Sequence, residues 1–273
     1  MKRTVFFISD RTGITSEMLG QSLTSQFEGE VEFTYHTIPF VDDVDKANAA
    51  VSRINQTAIR DGHKPIVFET IVKPDIRNII TSANALLVDF FHTYIGPLEK
   101  ELGVHSSFRV GKSHSTDDRQ AYDTRMSAVN FALNNDDGAS TKHYNQADII
   151  LVGPSRCGKT PTSLYMAMQF GIFAANYPFT EEDLPNIKLK PGLAQNKHKL
   201  YGLTIDPMQL HEIRNKRRPN SKYSALNQCM LEVREVEALY RRENIPFIDT
   251  TSRSVEELAV KIMADKEILR KIF

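Results

Sequence analysis

Gly153-Pro154-Ser155-Arg156-Cys157-Gly158-Lys159-Thr160 is the stretch from which the rest of the chain can be read. It fits the spacing G-x-x-x-x-G-K-[ST] of a phosphate-binding loop. Two glycines let the backbone curl so that successive N–H groups face phosphate oxygens. Lys159 supplies a point charge to the terminal phosphates, and the Thr160 hydroxyl is suited to hold Mg²⁺. At a glycine usage of about 7% the pattern arises by chance in roughly one chain of this length in a hundred. The flanks sharpen it. Residues 148–152 are an apolar, β-prone run, and Leu164, Met168 and Phe170 follow at helical spacing, with Pro161 tolerated in the first turn. A strand, a glycine loop and a helix in that order predict a nucleotide-binding α/β domain in which all eight residues from Gly153 to Thr160 contact phosphate. The plainer alternative is a glycine turn with an exposed lysine. Arg156 would lower the Cys157 thiol pKa, but no general base is adjacent, so Cys157 reads as a small loop residue.

Working outward, residues 200–205 and 246–248 read as strands, 224–242 as a long helix and 254–272 as a final helix opened by a capping box of Ser254 and Glu257. A phosphate loop needs a carboxylate at a nearby strand end to organise Mg²⁺ or take a proton. Asp206 and Asp249 both qualify, and both also suit helix capping; Asp206 is the preferred catalytic candidate, with Lys159. Arg214, Lys216, Arg217 and Arg218 read either as a solvated helix end or as a basic segment over phosphates.

Upstream, residues 1–104 alternate strand and helix. Residues 4–8, 31–35, 66–68 and 86–88 have strand character, and the stripe Val44, Ala47, Val51, Ile54, Ala58 predicts a helix capped by Asp42 or Asp43 and stopped at Gly62. Pro74 opens another helix, and residues 94–102 form the next. The order predicts a mostly parallel sheet with helices on both faces. Ser9-Asp10-Arg11-Thr12-Gly13 closes its first strand, where open α/β sheets bind ligands, but a capped tight turn explains it equally well. Residues 105–145 read as a bridge with one helix over about 117–133 and the polar run Asn134-Asn135-Asp136-Asp137-Gly138. His105, His114 and His143 lack zinc-site spacing, and Ser113-His114-Ser115-Thr116-Asp117 reads as a loop rather than a hydrolase triad. No internal repeat is evident. The fold class is thus α/β in two domains: an N-terminal parallel-sheet domain over 1–104 and a C-terminal P-loop kinase-like domain over 146–273, joined by 105–145.

Composition narrows the partners. The chain has 273 residues, 41% hydrophobic and 25% charged, which excludes a disordered class. Lys+Arg and Asp+Glu tie at 34, so general affinity for nucleic acid or anionic membrane is not expected. Two distant cysteines fit a reducing cytosol, and the short apolar start followed by Asp10 and Arg11 does not make a signal peptide. No run approaches the ~20 apolar residues of a membrane span.

Several unusual runs resemble one family. Lys159-Thr160-Pro161-Thr162-Ser163, Ala174-Ala175-Asn176-Tyr177-Pro178, Gly202-Leu203-Thr204-Ile205-Asp206-Pro207, Arg217-Arg218-Pro219-Asn220-Ser221, Glu232-Val233-Arg234-Glu235-Val236-Glu237 and Ile245-Pro246-Phe247-Ile248-Asp249-Thr250-Thr251 are similar to the bacterial phosphoenolpyruvate synthase regulatory proteins, as is Ser9-Asp10-Arg11-Thr12-Gly13. The related regulators of pyruvate, phosphate dikinase share the plan, and Gly158 favours the synthase branch. The resemblance implies a cytoplasmic, bifunctional enzyme, with a dimer suggested. It would transfer the β-phosphoryl of ADP to a threonine of phosphoenolpyruvate synthase, inactivating it, and would remove that group with inorganic phosphate to give pyrophosphate. Read from the residues themselves, Lys159, Mg²⁺ and an arginine such as Arg156 or Arg217 would neutralise charge, and Asp206 would orient or deprotonate the threonine, a role that the resemblance does not supply. A P-loop kinase of a small metabolite and a non-catalytic nucleotide sensor remain as alternatives.

Overall fold

The structure, a computed structural model, describes residues 1–107, 119–138, 141–180, 183 and 187–272. The chain divides into two compact units, Met1–Ser115 and Thr116–Phe273. The expectations for Ser113 to Asp117 and for His114 fall outside the described residues.

In the first unit, β1 (Lys2–Ser9), α1 (Ile14–Thr24), β2 (Glu32–Ile38), α2 (Val44–Asp61), β3 (Ile66–Thr70), α3 (Pro74–Ile80), β4 (Leu86–Asp89) and α4 (Phe90–Leu102) alternate as the periodicity predicts. The sheet runs β2-β1-β3-β4 with every pairing parallel. Such a sheet is covered on both faces, which is why β1 is a continuous apolar run. Phe6 and Ile8 pack with Ala47, Ile54, Ile76 and Ile80 on one face, and Val5 and Phe7 pack with Phe68 on the other. Helix α1 lies so close to that second face that a Cβ on Gly20 would come within 2.4 Å of the Phe7 ring. The Asp43 carboxylate caps α2 by accepting from the Lys46 N–H at 2.8 Å, and Gly62 ends it at φ 66. Helix α4 begins at Phe90 rather than 94, because Asp89 caps it by accepting from the His92 N–H at 2.8 Å.

The second unit comprises α5 (Arg119–Asn134), β5 (Ile149–Pro154), α6 (Lys159–Phe170), β6 (Ala174–Phe179), α7 (Pro191–Gln195), β7 (Leu200–Thr204), α8 (Pro207–Arg217), α9 (Leu226–Glu243), β8 (Phe247–Asp249) and α10 (Val255–Asp265). Its sheet is also parallel throughout and runs β6-β5-β7-β8, so second, first, third and fourth strands take the same places as in the first unit. Ile149 and Leu151 face Met166, Phe170 and Ile262, whereas Ile150 and Val152 face Tyr144, Leu239 and Tyr240. Residues 105–145 are divided between the units, and α5 packs on α6 through the small residues Ala128, Ala132 and Ala167. Strand β6 is absent from the sequence reading. Asn176 and Pro178 disguise it, and its edge position explains how a proline is accommodated there. The Ser254 and Glu257 capping box forms as expected, but α10 ends at Asp265 instead of running to 272.

Candidate phosphate-binding site

Strand β5, buried along its whole length, carries the chain to the carboxyl edge of the second sheet. The chain then turns over residues 155–158 and enters α6 at Lys159. The two glycines are required for different reasons. A Cβ on Gly153 would lie 2.4 Å from the Leu203 carbonyl oxygen, so β7 approaches too closely for any side chain there. Gly158 has open space around it but sits at φ 90, where only glycine is at ease. Arg156, exposed at the tip, is held at φ 79, a conformation costing on the order of 1 kcal/mol for a non-glycine residue.

The N–H groups of Arg156, Gly158 and Thr160 meet no protein acceptor among the described residues. The latter two open α6, so unpaired amides and the positive end of a helix converge on one place. Lys159 is 4% exposed. Its ammonium donates to the Gly153 carbonyl at 3.1 Å and the Pro154 carbonyl at 2.8 Å. The side chain therefore lies inside the curl. Cys157 is buried, and that burial pushes its thiol pKa up, although Lys159 pulls the other way. A nucleophile needs the opposite shift. A cavity of about 210 Å³ opens on the loop, lined by Asp137, Arg156, Gly158, Lys159, Thr160 and Pro161 among others.

The loop is braced from below. Arg214, fully buried on α8, donates to the Ser155 carbonyl at 3.0 Å and to Glu232 of α9 at 2.6 Å, and lies over the Tyr223 ring at 4.3 Å. Burial alone would lower the guanidinium pKa; Glu232 more than offsets it, and Arg214 stays charged. The hydroxyls of Ser155 and Tyr223 meet at 3.0 Å. The predicted basic run is thus not one feature: Arg214 is an internal brace, whereas Lys216, Arg217 and Arg218 are exposed.

A second brace comes from the segment after α5. Asn176 of β6 is 1% exposed, and its carbonyl oxygens, backbone and side chain, receive the N–H groups of Gly138 and Asp137. Its amide donates to Asp136, whose carboxylate also accepts from the Thr160 hydroxyl at 2.7 Å. Asp137, at φ 50, lines both the loop cavity and a larger recess of about 550 Å³ beside it. Asp136 and Asp137 stand in the polar run of the bridge and Asn176 in one of the family-like runs, but nothing in the spacing ties them to the loop.

The structure brings Gly153 through Thr160 together and treats Asp206 differently. Asp206 stands just beyond β7, exposed, and its carboxylate accepts from the Met208 and Gln209 N–H groups at 2.9 and 3.0 Å, capping α8. It lines neither cavity. Asp249 likewise binds its own turn, accepting from the Thr251 N–H at 2.8 Å. Among the described residues no three His, Cys, Asp or Glu side chains form a metal cluster, and no helix is long and apolar enough to cross a membrane.

A family model described as kinase/pyrophosphorylase matches residues 5–263. A relative from Pseudomonas fluorescens Pf-5 is 58% identical over 271 residues, covering 99% of each chain. One from Ectopseudomonas mendocina is 57% identical over 272 residues, covering all of both. Both are named, provisionally, as phosphoenolpyruvate synthase regulatory proteins.

Proposed function

The chain belongs to the kinase/pyrophosphorylase family, and from that premise we propose that it regulates a phosphoenolpyruvate synthase by two opposed phosphoryl transfers in the 153–160 loop. In one direction the β-phosphoryl of ADP passes to a threonine of the synthase, and AMP leaves. In the other, inorganic phosphate attacks the phosphothreonine and pyrophosphate leaves. Both reactions present a two-phosphate unit to the same loop, so one nest of amides serves both. We place the protein in the cytoplasm, as a homodimer.

The observation that carries this reading is the curl itself, with its free amides and with the Lys159 ammonium directed inward. Diphosphate oxygens replace the Gly153 and Pro154 carbonyls as partners of that ammonium. The amides of Gly158 and Thr160, fixed by α6, stabilise charge without reorganising, which is the largest catalytic term in such chemistry. Arg156 at the tip reaches the charge developing on the transferred group. Mg²⁺ fits the donors present, since Thr160 and Asp136 offer hard oxygens and phosphate and water complete the shell. When bound, it neutralises phosphate charge.

Incubating the protein with β-labelled ADP and purified synthase tests the reading. Label should move to a synthase threonine, and Lys159→Ala should slow this by about 10²–10³-fold, as loss of one preorganised donor does. Label remaining on ADP with the unaltered protein sinks the proposal.

A further inference from the structure

The chain that leaves α8 and returns toward α9 is fastened to the 153–160 loop at two points. Arg214 donates to the Ser155 carbonyl at 3.0 Å, and the Tyr223 hydroxyl meets the Ser155 hydroxyl at 3.0 Å. Lys216, Arg217 and Arg218 lie between these anchors, all exposed. The Arg218 N–H bonds the Arg214 carbonyl at 2.9 Å, so one helical turn, about 6 Å along the axis, separates Arg218 from the brace. The turn beyond is held by its own bonds. The Arg218 carbonyl accepts from the Ser221 hydroxyl at 2.9 Å and the Ser224 hydroxyl at 3.0 Å, and the Asn220 N–H donates to the Asn215 side chain at 3.1 Å. Pro219 stiffens it further. Three cations are thereby kept at the rim of the loop.

They differ from the cations at other helix ends of the second unit. Arg241 pairs with Glu237 at 2.8 Å, Arg242 with Glu243 at 3.5 Å, and Lys261 with Asp265. Lys216, Arg217 and Arg218 have no carboxylate partner among the described residues. They also line neither the loop cavity nor the larger recess beside it. A nucleotide held in those spaces is therefore not what they meet. Their partner reaches past the cavity mouths, as a macromolecule does. Nucleic acid asks for more: its binders commonly neutralise about 6–10 phosphates, and the charges of this chain balance at 34 against 34. Three fixed cations match a short acidic patch on a protein.

We infer that the turn carrying residues 216–218 is the docking surface for a carboxylate-bearing segment of the protein substrate. This rests on the phosphoryl-transfer reading above. Docking there brings the substrate to the rim of the loop without displacing ADP. The turn is ordered before the partner arrives, so little backbone freedom is lost on binding. Exposed charges attract over about 10 Å at moderate salt, which speeds encounter and fades as salt rises.

Reversing two of the charges, Lys216→Glu with Arg218→Glu, tests this. An exposed ion pair contributes a factor of about 1.5–5, and reversal replaces attraction with repulsion, so KM for the synthase should rise about tenfold. Its kcat and ADP affinity should stay within about twofold, and the difference in KM should shrink as ionic strength is raised. Lys216→Arg with Arg218→Lys keeps the charges and should keep KM. An unchanged KM in the reversed protein overturns the inference and leaves the cations only the dipole of α8 to serve. Weakened ADP binding in a folded reversed protein overturns it too, by assigning the cations to nucleotide phosphates. Binding of purified synthase without nucleotide separates docking from chemistry. If the unaltered protein moves no label, the phosphoryl-transfer reading fails, and this binding still decides the matter: weaker binding by the reversed protein upholds the docking surface, and equal binding overturns it.

Discussion

The two units use one plan and put it to different ends. In each, an inner strand passes to a helix through four residues ending in a left-handed glycine: 10–13 after β1, with Gly13 at φ 83 and ψ −2, and 155–158 after β5, with Gly158 at φ 90 and ψ 7. Arginine, glycine and threonine recur at matching places, as Arg11, Gly13 and Thr15 and as Arg156, Gly158 and Thr160. The side chains between them differ. Asp10, 4% exposed, turns its carboxylate inward to accept from the Val72 N–H at 3.0 Å, and burial raises its pKa. The Arg11 N–H is taken by the Ser9 hydroxyl at 3.1 Å. Ile14, 52% exposed, stands where Lys159 stands in the second unit. Topology supplies the socket twice; an inward ammonium suits one copy to the phosphate proposed for it, and a buried carboxylate makes the other inhospitable to an anion.

The largest effect should come from the brace under the second loop. Glu232→Ala leaves the Arg214 charge buried without its partner, and removing one member of such a pair costs about 3–5 kcal/mol. Chemical denaturation should show a clear fall in midpoint; an unmoved midpoint would mean that the pair does not hold the loop. The next contrast is functional. Lys159→Ala should cut transfer by about 10²–10³-fold, whereas Ile14→Ala at the matching place should leave the rate as it was. Equal losses would erase the distinction between the loops.

A smaller effect belongs to the carboxyl edge of the first sheet. Burial, reinforced by the neighbouring Asp89 carboxylate, pushes the Glu69 pKa up to about 8. Its folded-state value lies above the unfolded one, so Glu69 binds a proton more tightly when folded. Stability should therefore decline as the pH rises between about pH 5 and about pH 8. Glu69→Gln should flatten that slope in denaturation measured across the range. A slope that persists in the variant must come from other groups.

Much of this was legible in the residues, and the exceptions have physical causes. The 153–160 loop announced itself because its pattern is local: glycines, lysine and threonine fall within eight consecutive positions. The parallel sheets followed from the alternation of apolar runs and helical stripes. Carboxylate placement was not local. Asp206 has the expected position at a strand end, yet its own helix claims its side chain. Asp136 and Asp137 lie in a polar run that reads as a linker, and only the long-range bonds to Asn176 bring them to Thr160. Asn176 itself sits in a strand hidden by its own residue types. Arg214 looked like part of a surface run because burial of a charge depends on a partner, Glu232, eighteen positions away. The kinship of the two loops rests on three residues, too few to register as a repeat.

The contacts of Lys159 have a further consequence. Any guest entering the curl competes with two carbonyl oxygens that already satisfy its ammonium. Chloride, with a single diffuse charge, has less to offer in exchange. A diphosphate brings dense charge on several oxygens and can engage lysine and amides at once. The resting contacts of the lysine thus set a threshold that favours guests of higher charge over ordinary salt.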